Sequence, residues 1–214
     1  MYQPPHFRED DPAVQHALIR AHPLGLLISG GPDGPTANAL PFLLDESVPP
    51  KGRLSVHMAK ANGQWREIAA GAPVLVVFQG AEAYITPSWY ATKAETGKVV
   101  PTWNYAIVQV RGTARVIDDA AWLRGQVDRL TGEHEGRRPA PWGVDDAPEA
   151  FVASQIKGII GLEIDITEIE GKWKTSQNRP AADVARVVQA LADPSEPHAN
   201  VGMAELVRGR ARQT

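Results

Sequence analysis

The sequence predicts a mainly β, α+β protein built on an antiparallel β-barrel, with helices packed outside the barrel. Three observations support this fold class. Short apolar runs that fit six or seven strands follow one another along the chain. The 19 glycines and 18 prolines punctuate these runs, as turn residues do. Few helical patterns precede the second half of the chain, whereas a doubly wound parallel sheet alternates strands with helices throughout.

The first strands form a predicted hairpin. Residues 24–28 are a short apolar run, residues 30–35 read Gly-Gly-Pro-Asp-Gly-Pro, and residues 36–44 continue as a second extended segment. In the next strand, residues 54–58, apolar and polar side chains alternate. His57 is therefore expected to point away from the core.

Three further strand segments are predicted in the middle of the chain. Residues 74–78 are apolar throughout, which fits a strand covered on both faces, and residues 83–85 are expected to pair with it after Gly80. Residues 103–116 fit a long strand that is bent or interrupted near Gly112. A glycine inside a strand often marks a bulge, which is the reason for that expectation.

The second half of the chain contains the predicted helices and the last barrel strand. Leu123, Val127 and Leu130 recur at helical spacing within residues 118–131. Apolar residues alternate with glycine and acidic residues over residues 160–166, the clearest strand pattern in the sequence.

Two helices are predicted after that strand. Residues 181–191 show helical spacing between prolines, and residues 204–208 fit a short final helix. No repeat or linker divides the chain. We therefore expect a single domain over residues 1–214 with C-terminal helices at about 181–209.

Composition and charge exclude several classes of function. The chain has no cysteine, which excludes disulfide scaffolds and thiolate metal sites and fits a cytoplasmic location. Its formal net charge of −3 argues against broad nucleic-acid binding. The first residues do not fit a leader peptide, and no apolar run is long enough for a membrane span.

The common catalytic and nucleotide-binding motifs are absent. The sequence contains no GxGxxG after a predicted strand, no GxxxxGK[ST], no HExxH and no GxSxG. No metal site is predicted, and catalytic residues stay unassigned.

Four polar and aromatic clusters lie at the ends of predicted strands. In the first, His57 and Lys60 precede a helix expected to start at Asn62, which suits an anion such as phosphate. The alternative is an exposed histidine, a solvated lysine and a simple helix cap. The other clusters are residues 84–90, 100–105 and 173–180. They mix aromatic rings with hydrogen-bonding groups, which suits a flat heteroaromatic ligand or, alternatively, a core or subunit interface.

Taken together and in order, these clusters resemble the PaiB-type FMN-binding proteins. That family is regarded as one of negative transcriptional regulators, built on the split barrel of pyridoxamine-phosphate-oxidase-like flavoproteins. The resemblance covers nearly the whole chain. It is carried by MYQPPHF at 1–7, NGQWR at 62–66, FQG at 78–80, SWY at 88–90, VPTWNY at 100–105 and SQNR at 176–179.

The resemblance implies that FMN is bound at the interface of a homodimer. Its phosphate would be held by His57, Lys60 and Asn62, and its ring would lie against the strand that carries Asn38 and Leu40. The residues that would close the site, some from the second copy, are Trp103, Asn104, Ser176, Gln177 and Arg179.

The chain departs from the family pattern at Ala39, where members often carry a polar residue or a histidine. A side-chain contact to the ring is therefore expected to be missing. A homodimer is also expected because Trp89, Tyr90, Trp103 and Tyr105 would otherwise form an exposed aromatic patch.

The biological role stays open among three classes. The resemblance implies a negative transcriptional regulator, and the alternatives are a flavin-dependent oxidoreductase acting on a small molecule, or a protein that stores or senses FMN. There is no helix-turn-helix pattern, and the cationic cluster is limited to Arg208, Arg210 and Arg212. Direct DNA binding is therefore not expected.

Overall fold

The computed structural model describes residues 1–31 and 34–211. Within them the strands are β1 Arg8–Glu9, β2 Leu24–Gly31, β3 Gly34–Pro41, β4 Leu43–Asp45, β5 Arg53–Ala59, β6 Val74–Ile85, β7 Thr102–Ile117 and β8 Ile159–Lys174. The α-helices are α1 Pro12–Ala21, α2 Gln64–Ala69, α3 Thr92–Thr96, α4 Ala120–Glu135, α5 Glu149–Lys157, α6 Ala181–Ala192 and α7 Val201–Ala211.

The strands form one sheet in the order β3-β2-β6-β7-β8-β5-β4, and β1 pairs with β8. β2 pairs antiparallel with β3 and β6, and β5 pairs antiparallel with β4 and β8. β3, the first strand of this order, also packs against β5 near its other end. This return of the sheet toward its own edge is the behaviour of a barrel.

The chain divides into two compact units. The central unit comprises residues 19–78 and 109–169, and the terminal unit comprises residues 1–18, 79–108 and the chain from residue 170 onward. A compact unit of this kind is not by itself an independently folding domain. The expectation of a single domain over residues 1–214 stays a prediction.

Alternating strand residues build the core of the central unit. Leu27, Leu54, Val56, Val76 and Leu162 are completely buried. A second cluster lies beneath α4 and α5 and contains Leu123, Val144, Val152 and Ile156. In both clusters one face of each element is apolar, which is why these segments fold against one another.

The core of the terminal unit is formed by α6 and α7 against the end of β6. It includes Ile85, Trp89, Tyr90, Val187 and Met203. The expected exposed aromatic patch is therefore wrong in part, because Trp89 and Tyr90 are 6% and 1% exposed. Distant helices cover them, and a local sequence pattern does not show which segment will do so.

The strand predictions are confirmed in outline and wrong in three details. β6 is continuous, so residues 74–78 and 83–85 do not form a hairpin around Gly80. Gly80 instead packs against α1, where a Cβ atom would lie 3.2 Å from Leu18 Cδ1. Leu75 and Val77 of β6 are half-buried, so this strand is not fully covered on both faces.

The third detail concerns Gly112, where β7 is continuous rather than interrupted. A Cβ atom at Gly112 would collide with the carbonyl oxygen of Asp165 in β8. This glycine therefore allows two backbones to approach closely and does not mark an interruption.

The helix predictions also hold with corrections. α6 is confirmed, whereas α1 and α5 were not predicted, and the final helix is longer than residues 204–208. α2 begins at Gln64 with Gly63 as its N-cap, so Asn62 is not the first helical residue.

In the predicted β2–β3 turn, Pro32 and Asp33 lie outside the described residues, as does Arg212. None of the described helices is long and apolar enough to cross a membrane.

Candidate functional site

His57 points away from the core, as predicted, and is covered by α4. On β5 the flanking residues Val56 and Met58 are buried on the opposite face. The His57 Nδ1 atom lies 2.6 Å from Gln126 Oε1, and Gln126 is completely buried. Gln126 Nε2 has no hydrogen-bond partner within the described structure. A spare donor therefore lies beside the imidazole.

A glycine on the neighbouring strand makes room for this helix. His57 is paired with Gly161 in the β5–β8 ladder, and a Cβ atom at Gly161 would collide with the ring of Trp122. Trp122 and Gln126 are one turn apart on α4 and so share a face. The indole Nε1 of Trp122 donates to Glu163 Oε1 at 3.1 Å.

Glu163 is held as a carboxylate by these contacts. Burial alone would raise the pKa of Glu163, but hydrogen bonds from Arg115 and Trp122 and the charge of Arg53 hold this pKa below its ordinary value. The charge network therefore fixes the indole, and through it the position of α4 over β5.

Lys60 and Asn62 lie in the turn between β5 and α2. Lys60 Nζ is 2.7 Å from Asp118 Oδ1, but the Asp118 side chain is 64% exposed. An ion pair of this kind contributes only about 0–1 kcal/mol, so Lys60 can exchange Asp118 for a stronger anion. Asn62 Oδ1 accepts a hydrogen bond from the backbone N–H of Gln64 at 3.0 Å.

Gln64 connects α2 to the β2–β3 hairpin. Its Nε2 group donates to Leu27 O at 3.1 Å, to Ser29 Oγ at 3.2 Å and to Thr36 O at 3.1 Å. Its Oε1 atom accepts a hydrogen bond from Asn38 Nδ2 at 2.9 Å. These contacts form a hydrogen-bond network around a side chain that is 2% exposed. We call it the Gln64 network; it fixes the position of β3 relative to α2.

β3 presents different residues on its two faces. Asn38 and Leu40 face the same side as the buried residue Leu27, because Asn38 is paired with Leu27 in the ladder. Ala39 lies on the other face, opposite Leu26, and is exposed. Its methyl group offers no hydrogen bond.

In the terminal unit, Trp103 lies beside a cationic strand end. Trp103 is 50% exposed, and its carbonyl oxygen accepts a hydrogen bond from Lys174 Nζ at 2.7 Å. Lys174 Nζ also donates to Thr102 Oγ1. Burial lowers the pKa of Lys174, and the positive charges of Lys172 and Arg179 lower it further. An anion placed here would relieve that repulsion.

The segment that follows β8, residues 174–180, is held by its own side chains and by Asn104. Asn104 is buried, and its Nδ2 group donates to Ser176 Oγ at 2.9 Å while its Oδ1 atom has no partner. Gln177 folds back and bonds Trp173 O and the N–H of Thr175. Ser176 has a φ of 65°, a strained value for a serine.

Arg179 packs against an aromatic ring. Its guanidinium carbon is 4.6 Å from the centroid of Tyr90. Burial raises the pKa of Tyr90, and the charge of Arg179 opposes that rise. Asp183 is completely buried and accepts hydrogen bonds from the N–H and hydroxyl of Thr92, both at 2.9 Å.

The structure thus joins some of the predicted site residues and not others. Asn38 and Asn62 meet through Gln64, and Asn104 meets Ser176. His57 and Lys60 each contact the 118–126 segment instead. Gln64, Gln126 and Lys174 were not predicted as site residues. Gln64 lies inside the NGQWR motif, whereas no sequence signal identifies Gln126.

No metal site accompanies these groups. Within residues 1–31 and 34–211, no group of three or more histidine and acidic side chains is placed to hold a metal ion.

The fold is the split barrel of a class of flavoproteins. A family model described as "Putative FMN-binding domain" matches residues 1–168. The chain belongs to this family, so FMN is its cofactor, and the predicted resemblance to PaiB-type FMN-binding proteins is confirmed.

One relative supports this family assignment, and two solved structures support the fold. Protease synthase and sporulation protein PAI 2 of Bacillus subtilis is 30% identical over 213 residues, which cover 100% of this chain and 99% of that protein. A conserved hypothetical protein of Mycobacterium tuberculosis has a TM-score of 0.58 at 12% identity, over 84% of this chain and 94% of that one. An FAD and heme binding protein of Mycobacterium smegmatis has a TM-score of 0.55 at 18% identity, over 77% and 71%. The predicted α+β split-barrel fold is confirmed.

The residues present fit FMN. A phosphate needs positive charge and hydrogen-bond donors, which Lys60 and His57 can supply at the end of β5. A flavin ring needs apolar surface and polar groups at its edge, and Leu40 and Asn38 on one face of β3 offer both.

Proposed function

We propose that the protein binds FMN with its phosphate at His57, Lys60 and Asn62. The observation that carries this proposal is the ion pair of Lys60 with the exposed Asp118 carboxylate. A phosphate carries more charge than a carboxylate and can replace it at small cost. His57 Nδ1 faces Gln126 Oε1, so Nε2 is the atom left to face the same anion, and it donates a hydrogen bond there in the imidazolium form.

The ring of FMN would lie against β3, at Asn38 and Leu40. Asn38 is fixed by the Gln64 network, so this strand is rigid before the ligand binds. The residues proposed to close the site, some of them from a second copy of the chain, are Trp103, Asn104, Ser176, Gln177 and Arg179.

A homodimer is part of the proposal. On the outer face of β2, Leu24 is 66% exposed and Leu26 is 39% exposed, and Leu26 lies opposite Ala39 of β3. Exposed apolar side chains that adjoin one another on a sheet are typical of an interface. Light scattering is expected to give the mass of a dimer, and a stable monomer at micromolar concentration would contradict it.

We propose a negative regulatory role of the PaiB type that does not use direct DNA binding, exerted in the cytoplasm. The Bacillus relative is named for protease synthesis and sporulation. This chain has a net charge of −3, and Arg210 forms an ion pair with Glu9. A specific DNA site normally requires several cationic contacts to phosphates. Saturable nanomolar binding to the upstream region at about 150 mM salt in an anisotropy assay would overturn this part.

A flavin-dependent oxidoreductase acting on a small molecule is the second candidate. FMN, when bound, supplies hydride or electron transfer. The supporting observation is Lys174, whose ammonium group donates to the backbone carbonyl oxygen of the half-exposed Trp103. Bleaching of the flavin absorption by a nicotinamide donor would favour this candidate over a regulator without redox turnover.

The test of the central proposal compares FMN with riboflavin by quenching of flavin fluorescence. Charged hydrogen bonds to the phosphate contribute about 1.5–3 kcal/mol each, so FMN is expected to bind at least roughly tenfold more tightly. Equal affinities would show that the phosphate is not recognised and would remove His57, Lys60 and Asn62 from the site.

A further inference from the structure

A cavity in the terminal unit is lined by residues of the 175–181 segment, α6 and α7. Its volume is about 420 Å³, within the range of roughly 300–1,000 Å³ found for small-molecule sites. Three valines and four polar side chains are among its lining residues: Val184, Val188, Val207, Thr175, Gln177, Arg179 and Arg208. All of its lining residues fall beyond residue 168, where the family match ends.

Thr175 gives the first sign that this cavity holds a ligand. The residue is 1% exposed, and its Oγ1 atom has no hydrogen-bond partner within the described structure. Buried hydroxyl groups are nearly always hydrogen-bonded, so the unpartnered hydroxyl of a residue that lines a cavity is a candidate contact for a ligand bound there.

Positive charge is the second feature of the cavity. Within residues 1–31 and 34–211, neither Arg179 nor Arg208 forms an ion pair with a carboxylate, and Arg179 is stacked on Tyr90 instead. The cavity also includes Ala181, the first residue of α6, a helix that begins without a side-chain cap. A helix N-terminus adds a partial positive charge to that of the guanidinium groups.

The other lining residues of the cavity are apolar. Val184 and Val207 are buried, and Val188 is half-buried. A ligand that satisfied both sides would carry a negative group at one end and a hydrocarbon body at the other.

We propose that this cavity is a binding site for a small organic anion with an apolar body, of the aliphatic carboxylate class. The carboxylate would accept hydrogen bonds from Arg208, Arg179 and the hydroxyl of Thr175, and its hydrocarbon chain would lie along the three valines. The site goes beyond the proposed FMN function, although two of its lining residues, Gln177 and Arg179, are also among the residues proposed to close the FMN site. Arg208 belongs to this cavity alone, and competition with FMN separates the two sites.

The first experiment uses octanoate as the probe, on the full-length protein with and without FMN, by calorimetry and thermal unfolding. Octanoate is expected to bind saturably and to raise the melting temperature, because a ligand of the folded state stabilises it. Octylamine and octanol, which lack the negative charge, are expected to do so far less. If octanoate does not bind, or binds no better than octylamine, the proposal is wrong.

Arg208→Gln is expected to weaken octanoate binding by about tenfold, the loss of one charged contact. Arg186→Gln is the matched control, since Arg186 is an exposed arginine of α6 outside the cavity lining. An equal loss in both variants would mean a general charge effect and would overturn the site. Displacement of octanoate by FMN would also overturn it, because the cavity would then belong to the flavin site.

Thr175→Val separates a ligand-binding role from a structural one. The two side chains have nearly the same shape, so without octanoate the variant is expected to be as stable as the parent protein or more stable. Its stabilisation by octanoate is expected to fall. A less stable variant with unchanged octanoate binding would show that the hydroxyl serves the fold alone.

Discussion

Two polar regions of this chain differ in how completely their hydrogen bonds are formed. In the Gln64 network, both ends of the Gln64 amide are bonded, and the contacts join α2, β2 and β3. In the 174–180 segment and its partner Asn104, the buried Asn104 Oδ1 and Thr175 Oγ1 atoms have no partner within the described residues. A satisfied network stabilises a fold, whereas a buried polar group with spare hydrogen-bonding capacity is a candidate contact for a ligand.

The largest expected effect tests the first half of this comparison. Gln64→Leu removes the amide and with it the hydrogen bonds to Asn38 and to the carbonyl oxygens of Leu27 and Thr36. Each unsatisfied buried group costs about 1–3 kcal/mol, so we expect a loss of about 3 kcal/mol in the free energy of unfolding. Urea denaturation monitored by tryptophan fluorescence measures it.

The matched control for this change is Gln189→Leu, at an exposed position of α6. It is expected to alter the free energy of unfolding by less than about 0.5 kcal/mol. If both variants were equally stable, the Gln64 network would not hold the hairpin and the comparison would fail.

Lys60→Ala is expected to affect the ligand and not the fold. The lost phosphate contact is expected to weaken FMN by about 1.5–3 kcal/mol, with riboflavin affinity unchanged. Stability is expected to stay within about 1 kcal/mol, because the Asp118 pair is exposed. Fluorescence titrations with both flavins make the measurement.

Lys157→Ala is the control for charge, since Lys157 lines the same surface cavity as Lys60 and is exposed. It is expected to change FMN affinity by less than about twofold, the size of a screened surface interaction. A loss as large as that of Lys60→Ala would assign the effect to net charge rather than to contact.

Asn104→Leu is expected to change stability little. It tests whether the unpartnered oxygen of Asn104 serves a ligand rather than the fold. The variant loses one hydrogen bond to Ser176 but also removes an unpartnered buried oxygen. These effects offset one another, so we expect a change within about 1 kcal/mol in the free energy of unfolding. FMN affinity is expected to fall, whereas Asn178→Leu, at an exposed neighbour, should leave it unchanged. A loss of stability like that of Gln64→Leu would make Asn104 a structural residue.

Much of the fold could be predicted because the strands carry local signals. The alternation of apolar and polar residues around His57 predicted that this side chain lies outside the core. The prolines on both sides of α6 predicted where that helix begins and ends. β6 was predicted as two strands because a glycine reads as a turn, although Gly80 is needed for contact with α1. That contact is made between residues distant in the sequence, so no local pattern reports it.

The candidate site was harder to predict from the sequence for the same physical reason. A motif resemblance named Asn62 and Asn38, but their link through Gln64 depends on three segments meeting in space. The expected exposure of Trp89 and Tyr90 was wrong because α6 and α7 cover them. Burial of aromatic residues is set by whichever distant helix packs on them, and sequence periodicity does not identify that helix.

The absence of a side chain at Gly161 affects the orientation of the His57 imidazole. Trp122 can lie flat on β8 only because residue 161 has no Cβ atom, and Gln126, one helical turn further on, then reaches His57 Nδ1. A single added methyl group would push the indole outward and carry the amide away from the ring. The direction in which His57 offers its second nitrogen is thus decided by a residue that has no side chain and takes part in no chemistry.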